Sequence, residues 1–310
     1  MTFGLFVSLF LGAQAVAQAD PITEAEAIDQ ISRLGGRIER NEKLSDRPVV
    51  GVRMDRDTIG DEQLLWLQPL TSLTTLELAY TKITDAGLRE LSGLQNLTLL
   101  TVGSTKIGDA GVKEIASLQS LTSLYLQETK VTDAGLRDII RLKNLATLYL
   151  ADNDIADAGL IHLKRLEKLT TLCLSNTNIT NRGMKRIAAI SNLKKLDISG
   201  TGITDGGLTE LATMQNLTEL DLTSTAITDA GLVDLATMNS LVDLNLQDTK
   251  ITDAGLKALK GMSNLGGVLI SLYAANFFVL QSVDFSLRDW KLRICRHLGR
   301  HGAMPVAVRQ

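Results

Sequence analysis

The chain has 310 residues, 45% of them hydrophobic but only 4% aromatic, and its 32 basic and 35 acidic side chains leave a formal charge of −3. That balance excludes a polybasic nucleic-acid binder, and an aliphatic-rich, aromatic-poor composition argues for many small equivalent layers instead of two large globular cores. Phenylalanine marks the limits of those layers: Phe3, Phe6 and Phe10 stand at one end, Phe277, Phe278 and Phe285 at the other, with none between them.

Residues 1–19 read as a signal peptide. An apolar run from Phe3 to Gly12 precedes small residues ending Ala17-Gln18-Ala19, which places the cut before Asp20. The usual basic start is missing, since no Lys or Arg precedes Arg33, and a buried N-terminal helix is the competing reading. Residues 20–48 are expected to cap the core that follows. From Pro21 to Leu34, Ile22, Ala25, Ile28, Ile31 and Leu34 recur at helical spacing, with Thr23 and Glu26 placed as a capping box. Gly35-Gly36 ends that helix. Arg37–Arg40, a polar loop from Asn41 to Pro48, and Val49–Val52 then predict strand, turn and strand.

Residues 49–264 repeat every 24 residues, nine times. Leu73, Leu97, Leu121, Leu145, Leu169, Leu193, Leu217, Leu241 and Leu265 share one column, and a further step back reaches Val49. The unit is L-x-x-L-x-L-x-x-T-x-I-T-D-A-G-L-x-x-L-x-x-L-x-x, nearly unaltered from Leu73 to Asn96. Its leucines predict a short strand pointing Leu76 and Leu78 inward, then a short helix with Leu88, Leu91 and Leu94 on its inner stripe. One unit cannot bury both faces alone, whereas stacked neighbours can. Thr84 and Asp85 fall where the helix begins, as a cap and a charge favoured by the dipole. Gly87 lets backbones approach or bend.

These units resemble the leucine-rich repeat superfamily, in the Thr-Asp-Ala-Gly-Leu form common in secreted bacterial proteins. The ninth column departs from the better-known subtypes: it holds Thr where they have Asn or Cys, and only Asn153 keeps Asn. The resemblance implies an α/β fold, a right-handed solenoid or horseshoe with a parallel concave sheet and short convex helices. It also implies macromolecular binding on the concave sheet, with no catalytic residues to carry over.

In that geometry the third, fifth and seventh columns project from the concave face. Tyr125 and Tyr149, adjacent in the fifth column, are of the kind that anchors protein contacts. Glu77, Asp197, Asp221 and Asn245 share that column, while Lys195, Glu219 and Asp243 lie in the third. Charge is segregated: residues 137–195 carry 11 basic and five acidic side chains, residues 196–249 nine acidic and none basic. A basic peptide or a cation is therefore a natural concave ligand, with a merely solvated acidic surface as the competing reading.

The Asp column (Asp85, Asp109, Asp133, Asp157, Asp205, Asp229, Asp253) is read as helix capping and not as a metal site. His162, His297 and His301 are too few and scattered for acid–base or metal chemistry, and Cys173 and Cys295 match no ligand spacing. Cys173 is expected to be a free, partly exposed thiol. No cofactor, metal or enzymatic activity is expected.

From 265 the pattern holds through Val268 and Ile270 and then breaks, with Tyr273, Ala275, Phe277 and Val279 in place of Thr, Ile, Asp and Gly. Residues 261–283 carry no charge, and basic residues follow. A terminal cap, an aberrant tail from a shifted reading frame and a membrane anchor with its basic end inside stay open for 271–310. The expected function is a non-enzymatic, monomeric module that binds a protein or peptide and is secreted, periplasmic or on the cell surface. A membrane-tethered assembly scaffold and an intracellular adaptor like the F-box-associated repeats are the alternatives.

Overall fold

The computed structural model describes residues 22–272, together with the backbone of strands at 291–296 and 305–306. The signal-peptide reading of residues 1–19 lies outside the described residues, as does part of the uncharged segment read as an anchor. Among the described residues no helix is long and apolar enough to cross a membrane.

The first helix, α1, spans Glu24–Arg33, and its capping box is formed: Thr23 N–H donates to Glu26 Oε2 at 2.8 Å while Glu26 N–H donates to Thr23 Oγ1 at 3.3 Å. The buried pair is Ala27 and Ile31. Ala25, expected on the apolar face, is exposed. Two residues turn the chain by about 200° on a helix, so burial of Ala27 sends Ala25 outward. The hairpin follows as expected, β1 (Arg37–Arg40) running antiparallel to β2 (Val49–Arg53).

From β2 onward the sheet is one parallel ladder: β3 (Thr75–Glu77), β4 (Leu99–Thr101), β5 (Ser123–Tyr125), β6 (Thr147–Tyr149), β7 (Thr171–Cys173), β8 (Lys195–Asp197), β9 (Glu219–Asp221), β10 (Asp243–Leu246) and β11 (Gly267–Leu272). Every partner lies 24 residues on, as in Leu76 beside Leu100 and Leu124 beside Leu148. The leucines between the concave columns are buried, which fixes the register, because a slip by one residue would turn every one of them outward. Short α- or 3-10 helices connect the strands, for example Gly87–Gly93 and Asp109–Ile115. Leu88, Leu91 and Leu94 line the inner side at 2%, 1% and 0% exposure.

Backbone strand β12 (Lys291–Arg296) pairs parallel with β11 at the same step, placing Leu292 beside Val268 and Ile294 beside Ile270, and β13 (Pro305–Val306) pairs with it antiparallel. The step of 24 thus recurs beyond the point where the sequence pattern of the tail breaks.

The Asp column does something other than cap its own helix. Asp109 Oδ1 accepts from the N–H groups of Thr132 and Gly135 in the next coil, both at 2.9 Å, and its Oδ2 accepts from Thr132 Oγ1 at 2.8 Å. Asp61, Asp157, Asp205 and Asp229 accept from the Thr one coil on in the same way. The Thr hydroxyl provides the cap, as when Thr252 Oγ1 accepts from Ala254 N–H. The glycine of the motif leaves room for this carboxylate: a Cβ at Gly135 would stand 2.6 Å from Asp109 Oδ1, and one at Gly159 would collide with Asp133 Oδ1 in the same way.

Two further columns join or close coils. Asn96, Asn144, Asn192, Asn216 and Asn264 each donate Nδ2–H to a carbonyl of the preceding coil. The ninth-column Thr is buried or half-buried and donates to the carbonyl three residues back in its own coil, Thr81 to Leu78 at 2.7 Å and Thr177 to Leu174 at 2.6 Å. Asn153 reaches further, donating to Leu150 and Leu126 carbonyls and accepting from Thr129 N–H and Oγ1. Asn153→Ala should therefore destabilise the chain by about 2 kcal/mol, since it orphans groups in two coils. Asn153→Thr should recover about half of that, because it restores only the bond within the coil. Urea unfolding of both variants measures the difference, and equal losses would refute the inter-coil role.

Candidate functional site

Zero stagger makes each concave column a straight row. In the fifth, Thr101, Tyr125, Tyr149, Cys173, Asp197, Asp221 and Asn245 are successive ladder partners. The Tyr125 and Tyr149 rings stack with centroids 4.8 Å apart and planes 25° from parallel. Burial, then the neighbouring Tyr125, pushes the Tyr149 hydroxyl above its ordinary range, so it remains a neutral donor at neutral pH.

Beside this stack the sheet holds a hollow of about 450 Å³, whose lining includes Tyr149, Lys195, Asp197, Glu219, Asp221, Asp243 and Asn245. Seven of the nine residues expected on the binding face thus converge. Tyr125 adjoins the hollow through its stacked partner, while Glu77 stands apart on β3, 3.5 Å from Arg53 Nη1.

The carboxylates are unequal. Asp197 Oδ1 accepts from Ser199 N–H and Oγ, and its Oδ2 accepts from the Cys173 thiol at 3.1 Å. Asp221 Oδ1 accepts from Thr223 N–H and Oγ1, its Oδ2 from Asn245 Nδ2 at 2.9 Å. These two are structural anchors as well as surface charges. Glu219 Oε1 lies 2.6 Å from Lys195 Nζ, and this contact raises the Lys195 ammonium above its ordinary range. Asp243 is exposed. With Lys195 subtracted from the four acids, the hollow carries three net negative charges. Among the described residues no cluster of His, Cys, Asp and Glu is arranged to hold a metal ion.

Cys173 corrects one expectation. It is free but only 5% exposed, because Tyr149, Asp197 and the sheet cover it, and burial pushes its thiol up to about 12. Sequence reasoning also passed over Tyr80, 66% exposed in the left-handed turn after β3, and Gln127, whose Oε1 is buried without a hydrogen-bond partner just beyond Tyr125. The aromatic type marks Tyr80. Nothing in the pattern marks Gln127, whose burial comes from lying over Gly103 of the preceding coil.

Comparison with known proteins gives the same architecture. Internalin C2 of Listeria monocytogenes is 27% identical with a TM-score of 0.50, over 72% of this chain and 80% of that one. An internalin, InlF, of the same organism is 19% identical with a TM-score of 0.52, over 89% of this chain and 95% of that one, a likeness of fold alone. No curated protein matches. Residues 62–308 match the family described as leucine-rich repeat region. A constant step that sets the sheet register, leucines sealed inside every coil and a match running over most of the length agree, and the chain belongs to the leucine-rich repeat family.

Proposed function

We propose that this chain is a non-catalytic module that binds a protein or peptide on the concave face of β5 to β10, and that it works outside the cytoplasm after cleavage before Asp20. The observation that carries this reading is the Tyr125–Tyr149 stack beside an acid-lined hollow. Rigid amphipathic rings beside fixed hydrogen-bonding groups are the composition of a recognition hot spot. The charge of the hollow supports a basic segment as the ligand.

Photocrosslinking from the concave face, followed by mass spectrometry of captured partners, tests the site. Tyr149→Ala should weaken capture about thirtyfold, and Tyr125→Ala less, since it removes the support of the stack and not the ring lining the hollow. Unchanged capture by both variants refutes the site. An N-terminus at Met1 in the exported fraction refutes the processing step.

A further inference from the structure

A second charged feature lies away from the concave face, where the helices hand over to the next strand. Five other units place small residues at two consecutive positions there, Ser92-Gly93, Ala116-Ser117, Ala188-Ala189, Ala212-Thr213 and Ala236-Thr237, while the first has Gln68-Pro69 and the ninth a single cation, Lys260-Gly261. The fourth and fifth units instead carry Ile140-Arg141 and Lys164-Arg165. With Lys143 these side chains surround a hollow of about 560 Å³ in which Glu167 is the sole acid among the described lining residues.

The repeat itself does not require them. Cations in a last helical turn can offset the dipole, yet the turns ending near Gly93, Leu211 and Leu235 have none and fold alike. Internal pairing does not explain them either. Arg141 approaches Asp138 at 3.7 Å with its side chain 61% exposed, and among the described residues Lys143, Lys164 and Arg165 make no ion pair. In the second and third units, by contrast, Arg89 meets Glu114 at 3.5 Å.

We propose that this edge of the fourth and fifth units binds a linear anionic polysaccharide. Four cations on adjacent coils match the regular charge of an extended polyanion. Among the described residues no aromatic side chain lines the hollow, as base stacking in single-stranded nucleic acid would use. Among the described residues of these two units, the exposed large apolar side chain is Ile161, too little for insertion into a lipid surface. The chain as a whole is negative, so retention on a polyanion would have to be local.

Heparin is the probe. The full chain is compared with a variant carrying Arg141→Ser, Lys143→Gln, Lys164→Ala and Arg165→Ala, each a residue that another unit tolerates at the same position. A charge-matched control changes Lys82, Lys106, Lys130 and Lys250 to Gln. At fixed low salt the edge variant should bind heparin at least about tenfold more weakly than the parent, with the control unchanged. Equal binding by edge variant and parent, equal losses in both variants, or no retention of the parent overturns the site. Tighter retention of the parent by single-stranded DNA or by phosphatidylglycerol vesicles overturns the choice of partner. Circular dichroism shows whether either variant has lost the fold, and if the edge variant has, the single changes Lys164→Ala and Arg165→Ala are measured in its place.

Discussion

Replacing Asp109 by alanine should cost about 3 kcal/mol of unfolding free energy, although the side chain lies at a helix start where a capping acid would be worth about 1. The larger value follows from what the carboxylate holds. Two backbone N–H groups and a hydroxyl of the next coil, all part-buried, lose their acceptor together. Gly135→Ala should also destabilise, since its Cβ would stand 2.6 Å from Asp109 Oδ1 and 3.0 Å from Val131 Cγ1. Because the first of those clashes vanishes with the carboxylate, the double variant should be more stable than the sum of the single losses by about 1 kcal/mol. Denaturant melts of the four proteins complete the cycle. Strict additivity would show that the glycine is there for some reason other than room for the acid.

Native Cys173 should react with a thiol reagent at pH 8 at least about a thousandfold more slowly than in urea. Raising the thiol from its ordinary range to about 12 removes about three decades of thiolate, and 5% exposure leaves the reagent little access. Measurement in a Cys295→Ser background assigns the rate to this residue. The sign with pH follows from the same burial. A thiol held neutral in the fold contributes stability that is complete below its ordinary range and is lost as pH rises toward 12, so melting should fall on the alkaline side. Rapid labelling of the folded chain at pH 8 would place Cys173 at the accessible concave surface after all, and the adjoining Asp197 contact would then be wrong.

How far the site could be read from sequence differs residue by residue. Tyr125 and Tyr149 share a column one step apart, so their stacking was legible as soon as the step was known. The convergence of Asp197, Glu219, Asp221 and Asp243 was legible for the same reason. Glu77 shares the column equally well, yet it is two strands from the tyrosines and lies against Arg53. Membership of a column does not say where along it a hollow forms. In the tail, Leu292 and Ile294 obey the step from Val268 and Ile270, but the intervening Tyr273, Ala275, Phe277 and Val279 hide it.

The sequence alone determined the period, the register and the two-sidedness of the sheet, because stacking units of equal length leaves one alignment in which every leucine is buried. The tertiary structure decided which polar groups meet across coils. The Asp column contacts the Thr of the following unit, 23 residues ahead, and Cys173 is covered by its neighbours on both sides. Those outcomes depend on separations of a few ångströms between adjacent coils, which a one-dimensional period does not encode. A hydrogen bond or a buried thiol is settled at that scale.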